Sequence, residues 1–179
     1  MKAAVILAIF ADPPHGVVFV ERAGHLRRNP GQIGLPGGMT DPMDGADPST
    51  TAVRELYEEL GVQPAAIRVV GRLEPQRQVS SAVVVTPVVG VLAPHTPLQI
   101  DGTETIGAFT VPLATIVAPG EIYEDPSLST RDRALYALDY EGRHIWGLTA
   151  RILKLFADDW NARSALRDGV EAGLRRGGK

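Results

Sequence analysis

The stretch "GLPGGMTDPMDGADPSTTAVRELYEELGV", Gly34 to Val62, passes from a loop of glycine, proline and aspartate into a segment carrying Glu55, Glu58 and Glu59. Asp47 can cap a helix, Pro48 suits its first position, and Gly61 supplies its stop. At about 100° per residue the three glutamates share an arc of roughly 100°, while Val53, Leu56 and Leu60 fall on a neighbouring arc that can face a core. Like charges at these spacings cost roughly 0.2–0.5 kcal/mol per pair, and Arg54 offsets only Glu58. A solvated helix face would explain the glutamates taken alone. Beside a glycine-rich loop, however, a carboxylate cluster suits Mg²⁺ or Mn²⁺, hard cations that take several oxygen ligands and often bring substrate phosphates with them.

Outward from this stretch the chain alternates short β-rich runs with helical ones. "AAVILAIFA" at the start is too short to span a bilayer and reads as a first buried strand, followed after the "DPPHG" turn by a second, "GVVFVER". Residues His25–Pro48 form a long loop of the kind that is usually functional in a compact domain. "AIRVVGRLEPQ" and "SAVVVTPVVGVL" read as strands, "VPLATIV" as a short helical turn, and "RALYALDYEGRHIWG" as a hairpin. Leu148, Ile152, Leu155 and Phe156 mark a helix from about Leu148 to Trp160. Residues 1–165 are expected to form a single domain, and 166–179, "RDGVEAGLRRGGK" with the residue before it, a tail that frays. Periodicity alone says α/β or α+β.

Composition narrows the function classes. A chain of 179 residues, 44% hydrophobic, suits one core, and a net charge of −3 argues against nucleic acid or an anionic membrane as partner. The expected partner is a small molecule, and the sequence leaves room for a homodimer. With no cysteine, disulfides, thiolate metal sites and cysteine nucleophiles are excluded, in keeping with a cytoplasmic location.

The opening stretch resembles the Nudix box: a glycine, five residues, a glutamate, seven residues, then Arg-Glu-apolar-x-Glu-Glu-x-Gly-apolar. Gly38 and the run Arg54, Glu55, Leu56, Glu58, Glu59, Gly61 and Val62 match. Asp44 stands where the first glutamate belongs, and nine residues rather than seven separate it from Arg54. The resemblance implies the Nudix fold, an α/β/α sandwich with a mixed β-sheet, and a pyrophosphohydrolase using Mg²⁺ or Mn²⁺. Glu55, Glu58 and Glu59 would share metal coordination and water activation. Arg54 would orient them, the carbonyl of Gly37 or Gly38 would serve as a backbone ligand, and Asp44, with its shorter side chain, would contribute less.

Upstream, "ERAGHLRRNPGQIGLPGG" is similar to the signature of the coenzyme A pyrophosphatase branch, with Arg22-Ala23, Arg27, Gly31 and Pro36-Gly37-Gly38 in register and Leu35 in place of an aromatic. "VTPVVG", "FTVPLATI" and "HIWGLTARIL" extend the similarity from about Lys2 to Phe156. The branch implies hydrolysis of coenzyme A or acyl-CoA to 3′,5′-ADP and (acyl-)4′-phosphopantetheine. Arg22, Arg27, Gly37 and Gly38 would bind substrate, the arginines meeting the 3′-phosphate with support from Arg28 and His25. The same chemistry on ADP-ribose or a dinucleotide, and a non-catalytic ligand sensor on the same fold, are the alternatives. Intact glutamates argue against the sensor, and the arginine signature separates the two substrates. Glu104 lies where a late loop contributes a further acid in some Nudix enzymes, the alternative being an ordinary exposed glutamate; Trp146 is read as a core residue, and His15, His25, His95 and His144 lack metal-ligand spacing.

Overall fold

The strands are β1 (Lys2–Phe10), β2 (Gly16–Arg22), β3 (Ile33–Gly34), β4 (Gly37–Met39), β5 (Ile67–Arg72), β6 (Gln76–Arg77), β7 (Val84–Leu92), β8 (Thr105–Pro112), β9 (Tyr123–Glu124), β10 (Tyr136–Tyr140) and β11 (Arg143–Trp146). The helices are α1 (Pro48–Leu60), α2 (Leu113–Val117), α3 (Leu148–Asn161) and α4 (Ala165–Gly177). This computed structural model describes residues 1–26, 29–77, 82–100, 102–131 and 134–177. Arg27 and Arg28, both expected to contact substrate, lie outside the described residues.

The apolar runs at β1 and β7 pair in parallel along their whole length, from Lys2 and Val84 to Phe10 and Leu92. Strands buried on both faces need no polar alternation, which is why both sequences read as continuous hydrophobic stretches. Ala4, Ile6 and Ala8 of β1 pack on Ala52, Leu56 and Leu60 of α1. Leu7 and Ile9 point the other way, into a cluster with Ile152, Leu153 and Phe156 of α3. A mixed sheet with a helix layer on each side is the α/β/α sandwich. Burial of a leucine such as Leu56 or Leu60 contributes roughly 1.5–3 kcal/mol, so the apolar arc of α1 holds the helix to the sheet and fixes which way its acidic arc points.

A divergence in the sheet creates the site. β1 meets β2 at Ile9 and Val17. Toward its start β1 pairs instead with β4, Ala3 opposite Met39, Ala4 opposite Gly38 and Val5 opposite Gly37, while β2 pairs with β3 at Val20–Gly34 and Glu21–Ile33. The two strands splay, and residues 33–39 fill the gap. The loop expected at His25–Pro48 therefore contains two short strands and a 3₁₀ turn at Pro42–Asp44.

α1 starts and stops where its caps predict. The Asp47 carboxylate accepts from the Ser49 N–H at 2.9 Å, and the Gly61 N–H donates to the Tyr57 carbonyl. The hairpin forms as β10–β11, with β9 on its outer edge. Two features differ from expectation. β8 has a weak alternation interrupted by Gly107, yet it pairs with β2 from Gly16–Pro112 to Arg22–Thr105 and stacks Phe109 on Phe19. The tail expected to fray is α4: Leu166, Val170 and Leu174 repeat at four-residue intervals, with Val170 fully buried and the leucines packed on the main cluster. Gly173 permits close approach to β7, since a Cβ there would lie 2.7 Å from a Val91 methyl. Among the described residues no helix is long and apolar enough to cross a membrane.

Candidate active site

The acidic arc of α1 lies alongside β4, whose two glycines carry no side chain to keep it away. The Gly37 N–H donates to Glu59 Oε2 at 3.1 Å. A Cβ on Gly38 would fall 2.4–2.5 Å from the Glu55 carboxylate atoms, so Glu55 occupies the space that any other residue would fill. Gly37 adopts φ 152°, and a Cβ there would approach the Ala4 carbonyl to 2.3 Å. Gly37 requires glycine for backbone reasons, whereas at Gly38 a larger residue would displace the Glu55 carboxylate.

Glu59 is buried, and Arg22, the last residue of β2, brings Nη1 to 3.8 Å from its Oε1. Burial pushes the Glu59 carboxyl up to about 7, opposed by the Gly37 N–H and Arg22 and reinforced by the negative charges of Glu55 and Glu104. Burial likewise raises Glu55, against the pull of Arg54, with Glu58 and Glu104 adding to the rise. Glu104, whose alternative reading is an ordinary exposed acid, lines the same cleft and adds to its field. Arg22 has a buried Nε with no hydrogen-bond partner among the described residues. A buried donor left in that state costs stability unless a ligand meets it.

Asp44 and Arg54 form the support beneath the glutamates. Asp44 is buried at the end of the 3₁₀ turn, where Oδ2 accepts from the Asp41 N–H at 2.9 Å and the Thr51 hydroxyl at 2.8 Å. Arg54 grips it two-pronged, Nε to Oδ1 at 2.9 Å and Nη2 to Oδ2 at 3.0 Å, and Nη2 also donates to the Met39 carbonyl at 3.0 Å. The Arg54 hydrogen bonds hold the Asp44 carboxyl well below the usual carboxylate range despite its burial, and the same pairing raises Arg54. Arg54 Nη1 then reaches Glu55 Oε1 at 2.9 Å and Glu58 Oε2 at 2.7 Å. The substitution at the first acidic position of the motif thus places a carboxylate that anchors Arg54, with its oxygens already engaged.

The structure brings together Arg22, Gly37, Gly38, Glu55, Glu58 and Glu59 on one cleft of about 1010 Å³. Among the described residues no group of three or more acidic or histidine side chains is already drawn together to hold an ion, since Arg54 Nη1 draws both Glu55 and Glu58 to itself. The chemistry of the donor set nevertheless fits a hard divalent cation: oxygen ligands only, from three carboxylates on one arc of α1, two of them raised by burial despite Arg54 and Arg22. Trp146 corrects the sequence reading. It is 40% exposed and lines the cleft, because on β11 the neighbouring Ile145 takes the core position and strand alternation turns Trp146 outward. Asn29, Gln32, Arg77 and Thr103 also line it and were not singled out in the sequence; no motif marks them.

Comparison with known proteins accords with this arrangement. Residues 1–131 match the NUDIX domain model. The uncharacterized Nudix hydrolase NudL of Salmonella paratyphi B is 34% identical over 157 residues, covering 87% of this chain and 81% of its own; that of Salmonella newport matches to the same extent. Among solved structures, a MutT/nudix family protein from Enterococcus faecalis superposes with a TM-score of 0.56 over 89% of this chain and 62% of its own at 16% identity. The NUDIX domain of Shewanella oneidensis NrtR complexed with ADP ribose superposes with a TM-score of 0.51 over 65% of this chain and 75% of its own at 21% identity. The domain match and the relatives' identity show that the chain belongs to the Nudix hydrolase family.

Proposed function

We propose that the protein hydrolyses the diphosphate bond of coenzyme A or acyl-CoA, with Mg²⁺ or Mn²⁺, to 3′,5′-ADP and 4′-phosphopantetheine or its acyl form. The observation that supports diphosphate hydrolysis is Arg22 in place, its guanidinium beside the Glu59 carboxylate with a buried Nε unsatisfied, lining the cleft the glutamates share; the choice of coenzyme A rests on the resemblance of the upstream signature that carries Arg22 and Arg27. Glu55, Glu58 and Glu59 would hold the divalent ion, together with the carbonyl of Gly37 or Gly38. The ion would neutralise diphosphate charge and lower the pKa of a bound water.

The chain's own residues orient the parts. The Gly37 N–H fixes Glu59, and Arg54, held by Asp44, fixes the side chains of Glu55 and Glu58. Arg22 faces the anionic oxygens of the diphosphate. One water proton passes to a carboxylate of the cluster as the water oxygen bonds to one phosphorus, the bridging P–O bond breaks, and the bridging oxygen leaves on the other phosphate. Because Arg22 sits against the carboxylates, the remote 3′-phosphate falls to Arg27 in this reading.

The test is turnover of coenzyme A, acetyl-CoA, 3′-dephospho-CoA, ADP-ribose and a diadenosine polyphosphate with Mg²⁺ or Mn²⁺, with products identified by mass. A charge-assisted contact is worth roughly 1.5–3 kcal/mol, so coenzyme A should exceed its 3′-dephospho form in kcat/KM by about one to two orders of magnitude. Equal handling of the two, or preference for ADP-ribose, would defeat the coenzyme A assignment. Binding without turnover of any compound would favour a sensor.

A further inference from the structure

The β2–β3 ladder carries a polar side chain into the cleft that the glutamates and their supports do not use. Its register, Val20 opposite Gly34 and Glu21 opposite Ile33, continues one step further, where the Arg22 N–H donates to the Gln32 carbonyl at 3.0 Å. Residues opposite each other in such a ladder stand about 5.5 Å apart with their side chains on one face. Val18 and Val20 turn that face toward α1, and on it Arg22 reaches Glu59. Ile33 takes the other face, against the main apolar cluster. Gln32 therefore projects beside Arg22 on the glutamate side of the cleft, which both residues line.

Neither side chain is satisfied there. Arg22 Nε is buried without a hydrogen-bond partner, and the amide of half-buried Gln32 makes no hydrogen bond among the described residues. Two residues on, Gly34 leaves the same face bare, since a Cβ built there would meet nothing within 4 Å. Space is thus open beside the amide. The surrounding charge decides what an amide does in that space. Glu55 and Glu104 both act on Glu59, and Arg54 Nη1, drawn onto Glu55 and Glu58 at 2.9 and 2.7 Å, shows how this cluster captures a cation. A lysine at position 32 would be captured in the same way. A neutral amide keeps its N–H free for a ligand and does not compete with a divalent ion for the carboxylates.

We propose that Gln32 is a substrate-contacting residue whose amide N–H donates to a non-bridging oxygen of the diphosphate, next to the oxygen that Arg22 Nε meets. The inference rests on the reading that the glutamate cleft binds a diphosphate, and does not need that diphosphate to be part of coenzyme A. The adjacent positions of the two donors on one ladder face give the diphosphate a cationic and a neutral contact on the side away from the metal-binding carboxylates.

The probe is adenosine 5′-(α,β-methylene)diphosphate with Mg²⁺, a diphosphate analogue that cannot be cleaved at its bridge and contains neither pantetheine nor a 3′-phosphate. Its Kd is read by isothermal titration calorimetry. A hydrogen bond to a charged group corresponds to about tenfold or more in affinity, so Gln32→Ala should weaken binding roughly tenfold. Gln32→Glu keeps the shape, removes the donor and adds a negative charge, and should weaken binding further, by about a hundredfold. Because the amide has no partner within the protein, both variants should keep Tm within about 2 °C of wild type. An amide that instead accepts from a sugar hydroxyl would be replaced by the glutamate without loss. Unchanged affinity in Gln32→Ala, Gln32→Glu binding at least as tightly as Gln32→Ala, a large fall in Tm in both variants, or no binding of the analogue by wild type each overturns the inference, even if coenzyme A is hydrolysed. The expected losses with coenzyme A inert uphold it while the coenzyme A assignment falls.

Discussion

Asp44→Asn keeps the shape of the side chain and removes its charge, which isolates what the Arg54 pairing does. Asp44 accepts four hydrogen bonds, from the Asp41 N–H, the Thr51 hydroxyl, and Nε and Nη2 of Arg54. An asparagine can offer one oxygen, so its amide nitrogen must face donors on the other side. Breaking a buried ion pair costs about 3–5 kcal/mol, but the Arg54 side chain is 28% exposed and retains Glu55 and Glu58 as partners. Discounted for that screening, the loss should be roughly 2–3 kcal/mol. For a chain of this size that corresponds to a Tm lower by about 4–12 °C, measured by thermal circular dichroism and by urea midpoint at constant m-value.

The pH dependence has a definite sign. Asp44 has its folded-state pKa depressed, chiefly by the Arg54 hydrogen bonds, so its contribution is fully present above the unfolded value of about 3.9 and is lost as pH falls through the lower folded value. The stability gap between wild type and Asp44→Asn should therefore be flat from pH 8 to about 5 and close in more acidic solution. Turnover should fall modestly, because Arg54 loses its anchor while the glutamates remain. A Tm within about 1 °C of wild type, a gap that varies between pH 6 and 8, or a loss of activity as complete as that of Glu59→Gln would refute the anchoring role.

Glu58→Gln and Glu59→Gln should each lower turnover by a few orders of magnitude with the fold intact by circular dichroism; near-normal rates in both would end the metal-cluster reading. Gly38→Ala and Gly37→Ala should separate activity from stability. The first drives a methyl into the movable Glu55 carboxylate and should cost rate more than Tm, while the second meets the Ala4 carbonyl and should cost about 2–4 kcal/mol of stability. Arg27→Ala should erase much of the preference for coenzyme A over 3′-dephospho-CoA, whereas Arg22→Ala should slow both substrates by a similar factor, as measured by the ratio of kcat/KM values. Chelation by EDTA should abolish turnover, and Mg²⁺ or Mn²⁺ should restore it.

Much of the fold was legible because its signals are local. The cap at Asp47, the proline at Pro48 and the stop at Gly61 specify α1 within the segment itself, and the apolar runs of β1 and β7 declare strands buried on both faces. β8 and α4 were not legible for the opposite reason. β8 is held by its register with β2, contacts that no window of the sequence contains; α4 does carry a local signal, Leu166, Val170 and Leu174 at four-residue spacing, but Gly169 and Gly173 interrupt it, and the approach to β7 that Gly173 allows lies outside any window. The site divides in the same way. The glutamates, Arg54 and Gly38 stand in one contiguous motif, so spacing alone gathers them. Trp146 enters the cleft from the far end of the chain, and its outward direction depends on which residue of the hairpin, Ile145 or Trp146, takes the core.

Asp44 stands at a departure from the motif and is tied into the support beneath the glutamates. Nine residues separate it from Arg54, yet Thr51 and Arg54, three positions apart on α1, present their donors to the same carboxylate. Between the 3₁₀ turn and the Asp47 cap Gly45 adopts φ 72°, and the turn is closed by the Asp41 N–H to Asp44 hydrogen bond. In this structure position 44 presents an acceptor pair to the Nε and Nη2 edge of the Arg54 guanidinium. Arg54 spends Nε and Nη2 on Asp44 and Nη1 on Glu55 and Glu58, so one planar group transmits the position of a loop to two of the three glutamates. Glu59 is set independently, by Gly37 and Arg22. The buried member of the carboxylate cluster is therefore held by contacts that do not include the loop at Asp44.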